Sequence, residues 1–268
     1  MEMTANNKSY VLSLSYGKDS LACLGAIEKL GWPLDRIIHA EIWATDTIPA
    51  DLPPMVEFKE KADAIIRARY GIVVEHICAM RNGEKHTYEK GFYRKKIKRS
   101  YRAGTIEGFP FILHGAWCNE LKRSCLQKIE KGNISYIGIA ADEPKRFHNL
   151  SDIKKSPLVE AGWTEAMCLE WCKKNHLLSP IYTTATRGGC WFCHNQPVRQ
   201  LRQLRHNYPE LWQLMLKWDT DSPVTFKTGG RTVHDYDQRF QLEDEGLIYP
   251  NDRFRWDMLE EELNLRWF

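Results

Sequence analysis

The stretch YVLSLSYGKDSLACLGAIEKLG, residues 10–31, decides the fold because it joins a buried strand to a helix through a glycine-containing turn. Apolar residues dominate from Tyr10 to Leu14, and after Ser20 they recur at helical spacing. A turn of this kind directs backbone N–H groups and the positive end of a helix dipole to one point. Lys18 adds a positive charge there, and Ser15 and Ser20 add hydroxyl donors. The pattern predicts a phosphate-binding turn at the carboxyl end of a parallel strand.

The spacing within this turn differs from two common phosphate-binding motifs. It has neither the G-x-x-x-x-G-K-S/T pattern of the Walker loop nor the G-x-G-x-x-G pattern of dinucleotide-binding folds. The alternative interpretation of the same residues is an ordinary helix start that is capped by Asp19 or Ser20.

Strands and helices continue to alternate after Gly31. RIIHAEIWATD, residues 36–46, and IVVEHI, residues 72–77, read as buried strands, with a helix predicted between them from about Met55 to Tyr70. Further helices are predicted near residues 120–131 and 165–175, and SYIGIAA, residues 135–141, reads as a strand. This order predicts an α/β fold with a doubly wound parallel sheet and helices on both of its faces.

Composition along the chain predicts two domains. Residues 1–180 form the predicted nucleotide-binding domain, and within them residues 80–114 form a polar, basic insertion or substrate loop. Residues 181–268 form a predicted extension that is mainly helical, contains a C-x-x-C motif and ends in the helical pattern WDMLEEELNL.

The overall charge does not require a nucleic acid partner. The net charge is only +3, although YRKKIKRSYR, residues 93–102, and RQLRQLR, residues 199–205, are locally basic. These stretches are interpreted either as solvated helix faces or as contacts to phosphates. The chain start lacks an apolar signal core, and no apolar run approaches the roughly 20 residues of a membrane helix, so we expect a cytoplasmic protein without membrane contact.

SYGKDS resembles the S-G-G-K-D-S pyrophosphate loop, or PP-loop, of the adenine nucleotide alpha hydrolase superfamily, with Tyr16 in place of the first glycine. Four later motifs resemble the phosphoadenylyl-sulfate (PAPS) reductase-like branch of that superfamily. They are ATDT at 44–47, WCNELK at 117–122, GIAADEPKR at 138–146 and GGCWFC at 188–193. The resemblance implies a HUP-like doubly wound sheet that binds ATP or another adenosine nucleotide.

The same resemblance implies roles for particular residues. Those expected to bind the nucleotide are Ser15, Tyr16, Gly17, Lys18, Asp19, Ser20, Asp46, Asp142 and Glu143. Those expected to act in catalysis are Lys18, Asp19, Asp46 and Arg146. The reaction that such a loop supports is attack at the α-phosphate with release of pyrophosphate, assisted by Mg²⁺ that is held by carboxylates such as Asp19 or Asp46. Its product is an adenylated substrate that a sulfur or nitrogen nucleophile can attack.

The cysteines predict a metal site. Cys190 and Cys193 form a C-x-x-C motif that two glycines precede, and Cys118 and Cys125 are its candidate partners. Two cysteines that are seven residues apart on one helix lie roughly 10 Å from each other, so Cys118 precedes the helix or Cys125 is a core residue. The favoured ligands are therefore Cys118, Cys190 and Cys193. The sequence leaves undecided whether Cys125 is a fourth ligand. Three cysteines favour a [4Fe–4S] cluster with one open iron, and four also suit a closed Zn²⁺ site.

Three functions remain open at this point. The first is an ATP pyrophosphatase that adenylates a substrate for sulfur transfer with the help of an iron–sulfur cluster. The second is a sulfonucleotide reductase or binding protein, although no cysteine follows Cys193 to act as a C-terminal nucleophile. The third is a nucleotide or nucleic-acid binding module with structural zinc and no turnover. The candidate partners are an adenosine nucleotide, a phosphate-bearing or nucleic-acid acceptor, a sulfur-donor protein and a second copy of the chain.

Overall fold

A parallel five-stranded sheet is the centre of the fold in the computed structural model, which describes residues 8–96, 103–110, 116–148, 150–184, 189–250 and Trp256. Its strand order is β3-β2-β1-β6-β7, and every pairing is parallel. The strands are β1 (Tyr10–Ser13), β2 (Arg36–Glu41), β3 (Val74–Cys78), β6 (Ile134–Tyr136) and β7 (Lys154–Lys155). The chain builds outward from β1 to β3 and then returns to the other side of β1. The predicted α/β fold with a parallel sheet is therefore confirmed, and β1 lies where the strand order reverses.

Helices connect these strands, and the first two end at the glycines that the sequence predicts as their stops. The first, α1 (Lys18–Leu30), ends at Gly31, and α2 (Pro53–Tyr70) ends at Gly71. Both glycines have positive φ angles, 64° and 68°, a left-handed conformation that glycine adopts without a steric penalty. The next helices are α4 (Glu120–Glu130), α5 (Pro144–Phe147), α6 (Pro157–Ala161), α7 (Glu165–Lys174) and α8 (Ile181–Thr184).

The core of this part of the chain lies between the strands and α1. Leu12, Leu14 and Ile37 of the sheet region are at most 1% exposed, and they pack with the apolar face of α1. That helix also packs against α6 and α7, and α4 packs against β2 and β3. Apolar burial on this scale is the main force that fixes α1, and so fixes the turn that precedes it.

Two compact units divide the chain, and their boundaries differ from the predicted one at residue 180. Unit 1 comprises residues 1–88 and 118–190, and unit 2 comprises residues 89–117 and 191–268. Much of the predicted insertion thus belongs with the C-terminal segment, and residues 181–190 belong with the sheet. Unit 1 also contains a small hairpin of β4 (Met80–Arg81) and β5 (Glu84–Lys85). A short helix, α3 (Tyr88–Phe92), and a 3-10 turn (Trp117–Asn119) occur where the chain passes from one unit to the other.

Unit 2 has helices and an aromatic core. Its helices are α9 (Val198–Asn207), α10 (Pro209–Asp221) and α11 (Val233–Asp244). Trp218 of α10 is fully buried, stacks on Trp191 at 5.7 Å and contacts Phe92, while Phe109 packs edge-on against Phe226. Segments 89–117 and 191–250 therefore share one core. The predicted helix WDMLEEELNL lies outside the described residues, except Trp256.

No helix in the described part of the chain is both long enough and apolar enough to cross a membrane.

Candidate nucleotide-binding site

The β1–α1 turn is organised by its two serines. The backbone N–H and the hydroxyl of Ser15 both donate to Ser20 Oγ, at 3.1 and 3.0 Å. Ser20 Oγ in turn lies 3.0 Å from the carbonyl oxygen of Gly17. Within the described residues, the N–H groups of Tyr16, Gly17, Asp19 and Ser20 have no hydrogen-bond acceptor. A cluster of such unpaired donors at a helix N-terminus is suited to an anion.

Tyr16 adopts a backbone conformation that usually requires glycine. Its φ angle is +56°, in the left-handed region, yet its side chain is fully buried. The Tyr16 hydroxyl donates to Asp63 of α2 and lies 3.1 Å from Nε2 of His76 on β3. A non-glycine residue in this region costs of order 1–3 kcal/mol, so these buried contacts have to hold it in place. Tyr16 therefore adopts here a conformation that a glycine at this position could adopt without strain.

Two histidines beneath the turn have opposite charge states. His76 lies between Asp63 Oδ2 at 2.7 Å and Glu41 Oε1 at 2.9 Å, and these hydrogen bonds raise its pKa to about 9. His39 is 6% exposed, and burial together with the nearby Lys59 ammonium lowers its pKa to about 3. His39 Nδ1 donates to the Leu14 carbonyl at 2.8 Å, so Nε2 accepts from Lys59 Nζ at 2.7 Å. An imidazolium and a neutral imidazole thus support the turn together.

We expect these two histidines to give the stability of the protein a maximum near pH 6.5. His76 has a raised folded-state pKa, so its contribution is complete below pH 6.5 and is lost as pH rises through about 9. The folded-state pKa of His39 is lowered, so its contribution to the free energy of unfolding is present above pH 6.5 and is lost as pH falls toward 3. The measurement is the free energy of unfolding in denaturant between pH 4.5 and 9. His76→Gln should reduce the loss of stability at alkaline pH, and His39→Gln should reduce the loss at acid pH. The exposed control His148→Gln should change neither. A loss of stability at alkaline pH that persists in His76→Gln would contradict the assignment.

A cavity of about 340 Å³ opens beside the turn within unit 1. Residues 15–17 form one wall, the end of β2 with His39 and Ile42 forms another, and residues 50–52 of the β2–α2 connection form a third. Lys122 of α4 and Cys190 also line it. Small-molecule sites typically occupy about 300–1,000 Å³ and lie at the carboxyl ends of parallel strands, as this cavity does.

Lys18 is held by two carboxylates. Its Nζ lies 2.8 Å from Asp19 Oδ1 and 2.9 Å from Glu165 Oε2, at the start of α7. Burial disfavours the Lys18 ammonium, but these hydrogen bonds outweigh it and raise the pKa of Lys18 above its ordinary value. Burial also raises the pKa of Asp19, although Lys18 acts in the opposite direction. Lys18 is therefore charged and positioned at the turn.

The backbone N–H of Lys18 differs from the other backbone donors of the described turn. It has a side-chain acceptor that lies outside the turn, in another part of unit 1. It donates to the hydroxyl of Tyr182 in α8 at 2.9 Å. Burial raises the pKa of Tyr182, so this hydroxyl is neutral. The tyrosine oxygen thus occupies the position in which an anion would accept a hydrogen bond from the Lys18 N–H.

The end of β6 approaches the turn closely at Gly138. A Cβ atom at this position would lie 2.6 Å from the Ser20 backbone nitrogen and 2.7 Å from the Asp19 carbonyl carbon. These are backbone atoms of the first turn of α1, which cannot rotate away. Only glycine therefore allows this contact between the β6 end and the helix start.

The acidic residues that follow Gly138 lie outside the cavity lining, and Asp142 is connected to Lys18 through Glu165. Asp142 accepts the N–H of Glu165 at 3.0 Å, and Glu165 in turn contacts Lys18. Glu143 pairs with Arg146 at 2.6 Å, and Arg146 is 59% exposed. None of Asp142, Glu143 and Arg146 lines the cavity.

Asp46 is exposed in the turn after β2 and does not line the cavity either. Its backbone carbonyl lies 3.5 Å from Lys85 Nζ. Asp51, five residues further along the chain, lines the cavity and pairs with Lys59 at 2.6 Å. Asp51 is thus the carboxylate that lines the cavity, whereas Asp19 pairs with Lys18 at the start of α1.

The predicted cysteine ligands do not form a metal site among the described residues, which include all four of them. No three His, Cys, Asp or Glu side chains in the described ranges lie where they could hold one metal ion. Cys125 is buried inside α4, where its thiol lies 3.1 Å from the Lys122 carbonyl and burial raises its pKa. Cys118 lies in the 3-10 turn, Cys190 lines the cavity and Cys193 belongs to unit 2. Cys190 and Cys193 thus fall in different units, and residues 185–188 before the motif lie outside the described residues. The metal site therefore stays a prediction, which iron, sulfide and zinc analysis of anaerobically purified protein tests directly.

Several basic residues that were considered for phosphate contacts are paired with carboxylates in unit 2. Arg94 and Lys96 both contact Glu107 at 3.2 Å, and residues 97–102 lie outside the described residues. In α9, Arg202 binds Glu243 and Arg205 binds Asp237 and Asp244. These pairs favour a structural role for Arg202 and Arg205.

The sequence analysis missed the residues that support the turn from a distance. Asp63 and His76 lie 47 and 60 residues after Tyr16, and Glu165 and Tyr182 lie 147 and 164 residues after Lys18. The histidine in the strand sequence IVVEHI was the one available signal, because an ionisable residue in an apolar strand needs a partner.

A scan against protein-family models finds no match, and a search of curated proteins finds none. A search of solved structures finds the U34-tRNA thiolase NcsA from Methanococcus maripaludis, with its [4Fe–4S] cluster, at 14% sequence identity and a TM-score of 0.39. The alignment covers 93% of this chain and 84% of that chain. A similarity at this TM-score carries no argument about function, so the proposals below depend on the residues of this protein.

Proposed function

We propose that the protein binds ATP at the β1–α1 turn and the adjoining cavity, cleaves it to AMP and pyrophosphate, and adenylates an acceptor substrate. The observation that carries this proposal is the SYGKDS turn itself. It lies where the strand order reverses, leaves backbone N–H groups unpaired and borders a cavity large enough for a nucleoside. The proposal places the protein in the PP-loop adenine nucleotide alpha hydrolases, to which this turn is similar.

The phosphates would bind to the N-terminus of α1. The unpaired N–H groups of residues 16, 17, 19 and 20 are donors there, and Lys18 supplies a full positive charge. An anion at this point also gains from the helix dipole. The nucleoside would then lie in the cavity between the end of β2 and residues 50–52.

The chemistry requires positioning and charge stabilisation. An oxygen of the acceptor attacks the α-phosphorus, the bond from that phosphorus to the bridging oxygen breaks, and pyrophosphate leaves with the electron pair. Lys18 and the backbone N–H groups stabilise the negative charge that develops on the leaving phosphates, and Mg²⁺ supplies further charge when it is bound. The acceptor then carries an AMP group, which is a good leaving group for a later nucleophile.

Cys190 supports sulfur transfer as the next step. Its side chain lines the same cavity as the turn, so a thiol lies within the region where an adenylated substrate would form. A persulfide on Cys190, supplied by a sulfur-donor protein, would attack the carbon that carries the AMP group, and AMP would leave with the electron pair of the carbon–oxygen bond. The product would then be joined to Cys190 by a disulfide, which an external dithiol reduces to release the thiolated product and the free cysteine.

The proposed function is tested by mixing the protein with ATP and Mg²⁺ and measuring pyrophosphate and AMP. We expect pyrophosphate release once an acceptor is present, with an equal amount of AMP that is bound to the acceptor or, after attack by a second nucleophile, free. We also expect a higher thermal stability with ATP than with PAPS. Stabilisation by PAPS alone would favour the sulfonucleotide alternative. ATP binding without pyrophosphate release across tRNA and small-molecule acceptors would favour a binding module.

Tyr182→Phe should strengthen nucleotide binding because it removes the hydroxyl that accepts the hydrogen bond of the Lys18 N–H and so leaves this N–H available to a phosphate. The free protein loses one hydrogen bond, so its stability should fall by about 1 kcal/mol while ATP affinity rises roughly fivefold. Isothermal titration with ATP and denaturant unfolding measure the two effects. Tyr70→Phe removes a hydroxyl that lies 3.5 Å from Glu28 and serves as the control with unchanged affinity. Weaker binding in Tyr182→Phe would show that the hydroxyl assists the nucleotide instead.

A further inference from the structure

A small cavity in unit 2 has no role in the function proposed above. Its volume is about 160 Å³, below the range of nucleoside-sized sites, and it lies against the segment Thr225 to Gly230. His194 and Pro110 complete its lining, and every lining residue belongs to unit 2. None of these residues is acidic. The cavity is therefore suited to a small ligand and offers nothing that would repel an anion.

His194 is a buried polar side chain that has no hydrogen-bond partner among the described residues. It is 6% exposed, yet its imidazole makes no hydrogen bond or ion pair with any residue that the structure describes. Its ring nitrogens are not among the fully buried polar atoms that lack a partner, so they keep some exposure. The ring lines the cavity, so a ligand there can supply the missing partner.

Lys227 is a cation without a carboxylate partner in the described part of the chain. Its Nζ donates to the Gln196 carbonyl, and an ammonium has two further N–H groups to donate. Arg202 and Arg205 of the same unit contrast with it, because both bind carboxylates. A partly buried ammonium that faces a cavity without acids attracts a negative charge.

The backbone of the cavity loop adds donors. The loop closes through a 2.9 Å hydrogen bond from the Lys227 N–H to the Arg231 carbonyl. Within the described residues, the N–H groups of Thr228, Gly229 and Gly230 have no acceptor, and all three residues are exposed. Successive unpaired N–H groups in such a turn form an anion-binding concavity.

We infer that His194, Lys227 and the loop Thr225 to Gly230 form a second anion site, which binds a tetrahedral oxyanion such as a phosphate group. The shared chemistry fits free phosphate and also a phosphate of a polynucleotide. The inference does not depend on nucleotide binding at the β1–α1 turn.

The test uses the full-length protein and follows the imidazole resonances of His194 by NMR while inorganic phosphate is added, because this signal reports on unit 2 alone. His194→Gln assigns the resonance. We expect a saturable shift with phosphate and none with sodium chloride of equal ionic strength. Lys227→Met should weaken the affinity at least roughly tenfold, and Lys227→Arg should retain most of it. Exposed Lys217→Met in α10 is the matched control and should bind as the parent does.

A single-stranded oligonucleotide distinguishes the two sources of the anion. If it shifts the same resonance and competes with phosphate, the site takes a nucleic-acid phosphate; if only inorganic phosphate shifts it, the site takes the free ion. The absence of a saturable shift with both probes would overturn the inference. Equal affinity in the parent and in Lys227→Met would overturn it as well, and the parent titration decides the matter even if Lys227→Met fails to fold.

Discussion

Replacement of Lys18 with alanine is expected to lower the rate of pyrophosphate release roughly a hundred- to a thousandfold, as removal of one group that stabilises transition-state charge does in other enzymes. Lys18 is the cation of the SYGKDS turn and is charged at neutral pH, because Asp19 and Glu165 hold its ammonium. The measurement is the single-turnover rate of pyrophosphate formation from ATP with Mg²⁺. The effect should appear mainly in the rate, since the backbone N–H groups still bind the phosphates.

Lys29→Ala provides the matched control for this variant. Lys29 lies in the last turn of the same helix and is exposed, and among the described residues its ammonium has one hydrogen-bond partner, the Ala161 carbonyl at 3.5 Å. The Lys29→Ala variant should release pyrophosphate at the rate of the parent protein. Thermal unfolding of both variants checks that the fold is retained. Undiminished release in a folded Lys18→Ala protein would remove Lys18 from the mechanism.

The second large effect is expected at Gly138, where an alanine should destabilise the protein by about 3 kcal/mol. The added methyl group would meet the Ser20 nitrogen at 2.6 Å and the Asp19 carbonyl carbon at 2.7 Å, so the start of α1 has to move. Overpacking of this kind costs about 1–3 kcal/mol, and backbone neighbours place this site at the upper end. Nucleotide affinity should fall as well, because the donors of the turn move with the helix.

Gly189→Ala is the control for this substitution, because a Cβ atom there has no neighbour within 4 Å and its φ is not left-handed. The free energies of unfolding of the two variants, measured in denaturant, should differ by most of the predicted difference of about 3 kcal/mol. Equal stabilities would mean that β6 and α1 separate at little cost.

The elements that sequence patterns predict well are those with strong apolar periodicity. The predicted helix from Met55 to Tyr70 is observed as Pro53–Tyr70, because Gly71 ends it. Strand β7 (Lys154–Lys155) was missed, because it has no apolar pattern and exists only through its pairing with β6. The predicted strand at 135–141 is shorter in the structure, Ile134–Tyr136, and leaves Gly138 to contact α1.

The candidate site was predictable only where its residues are contiguous. The turn from Ser15 to Ser20 could be read from the sequence because one turn and one helix start contain all of its donors. The ionic supports of Tyr16 and the Tyr182 contact depend on how distant elements pack, so no local pattern shows them. The compact units divide the chain at other positions than residue 180, because residues 89–117 pack with a segment that follows them much later in the chain.

The passage of the chain between the units after residues 88, 117 and 190 has a consequence for biosynthesis. As the chain leaves the ribosome, Phe92 and Phe109 emerge before Trp218 and Phe226, the rings that they contact in the finished protein. Unit 1 can complete its sheet in the meantime, because all of its strands precede residue 190. Phe92 and Phe109 therefore lack these partners until residue 226 has been translated, and apolar surface that is exposed during such an interval promotes aggregation.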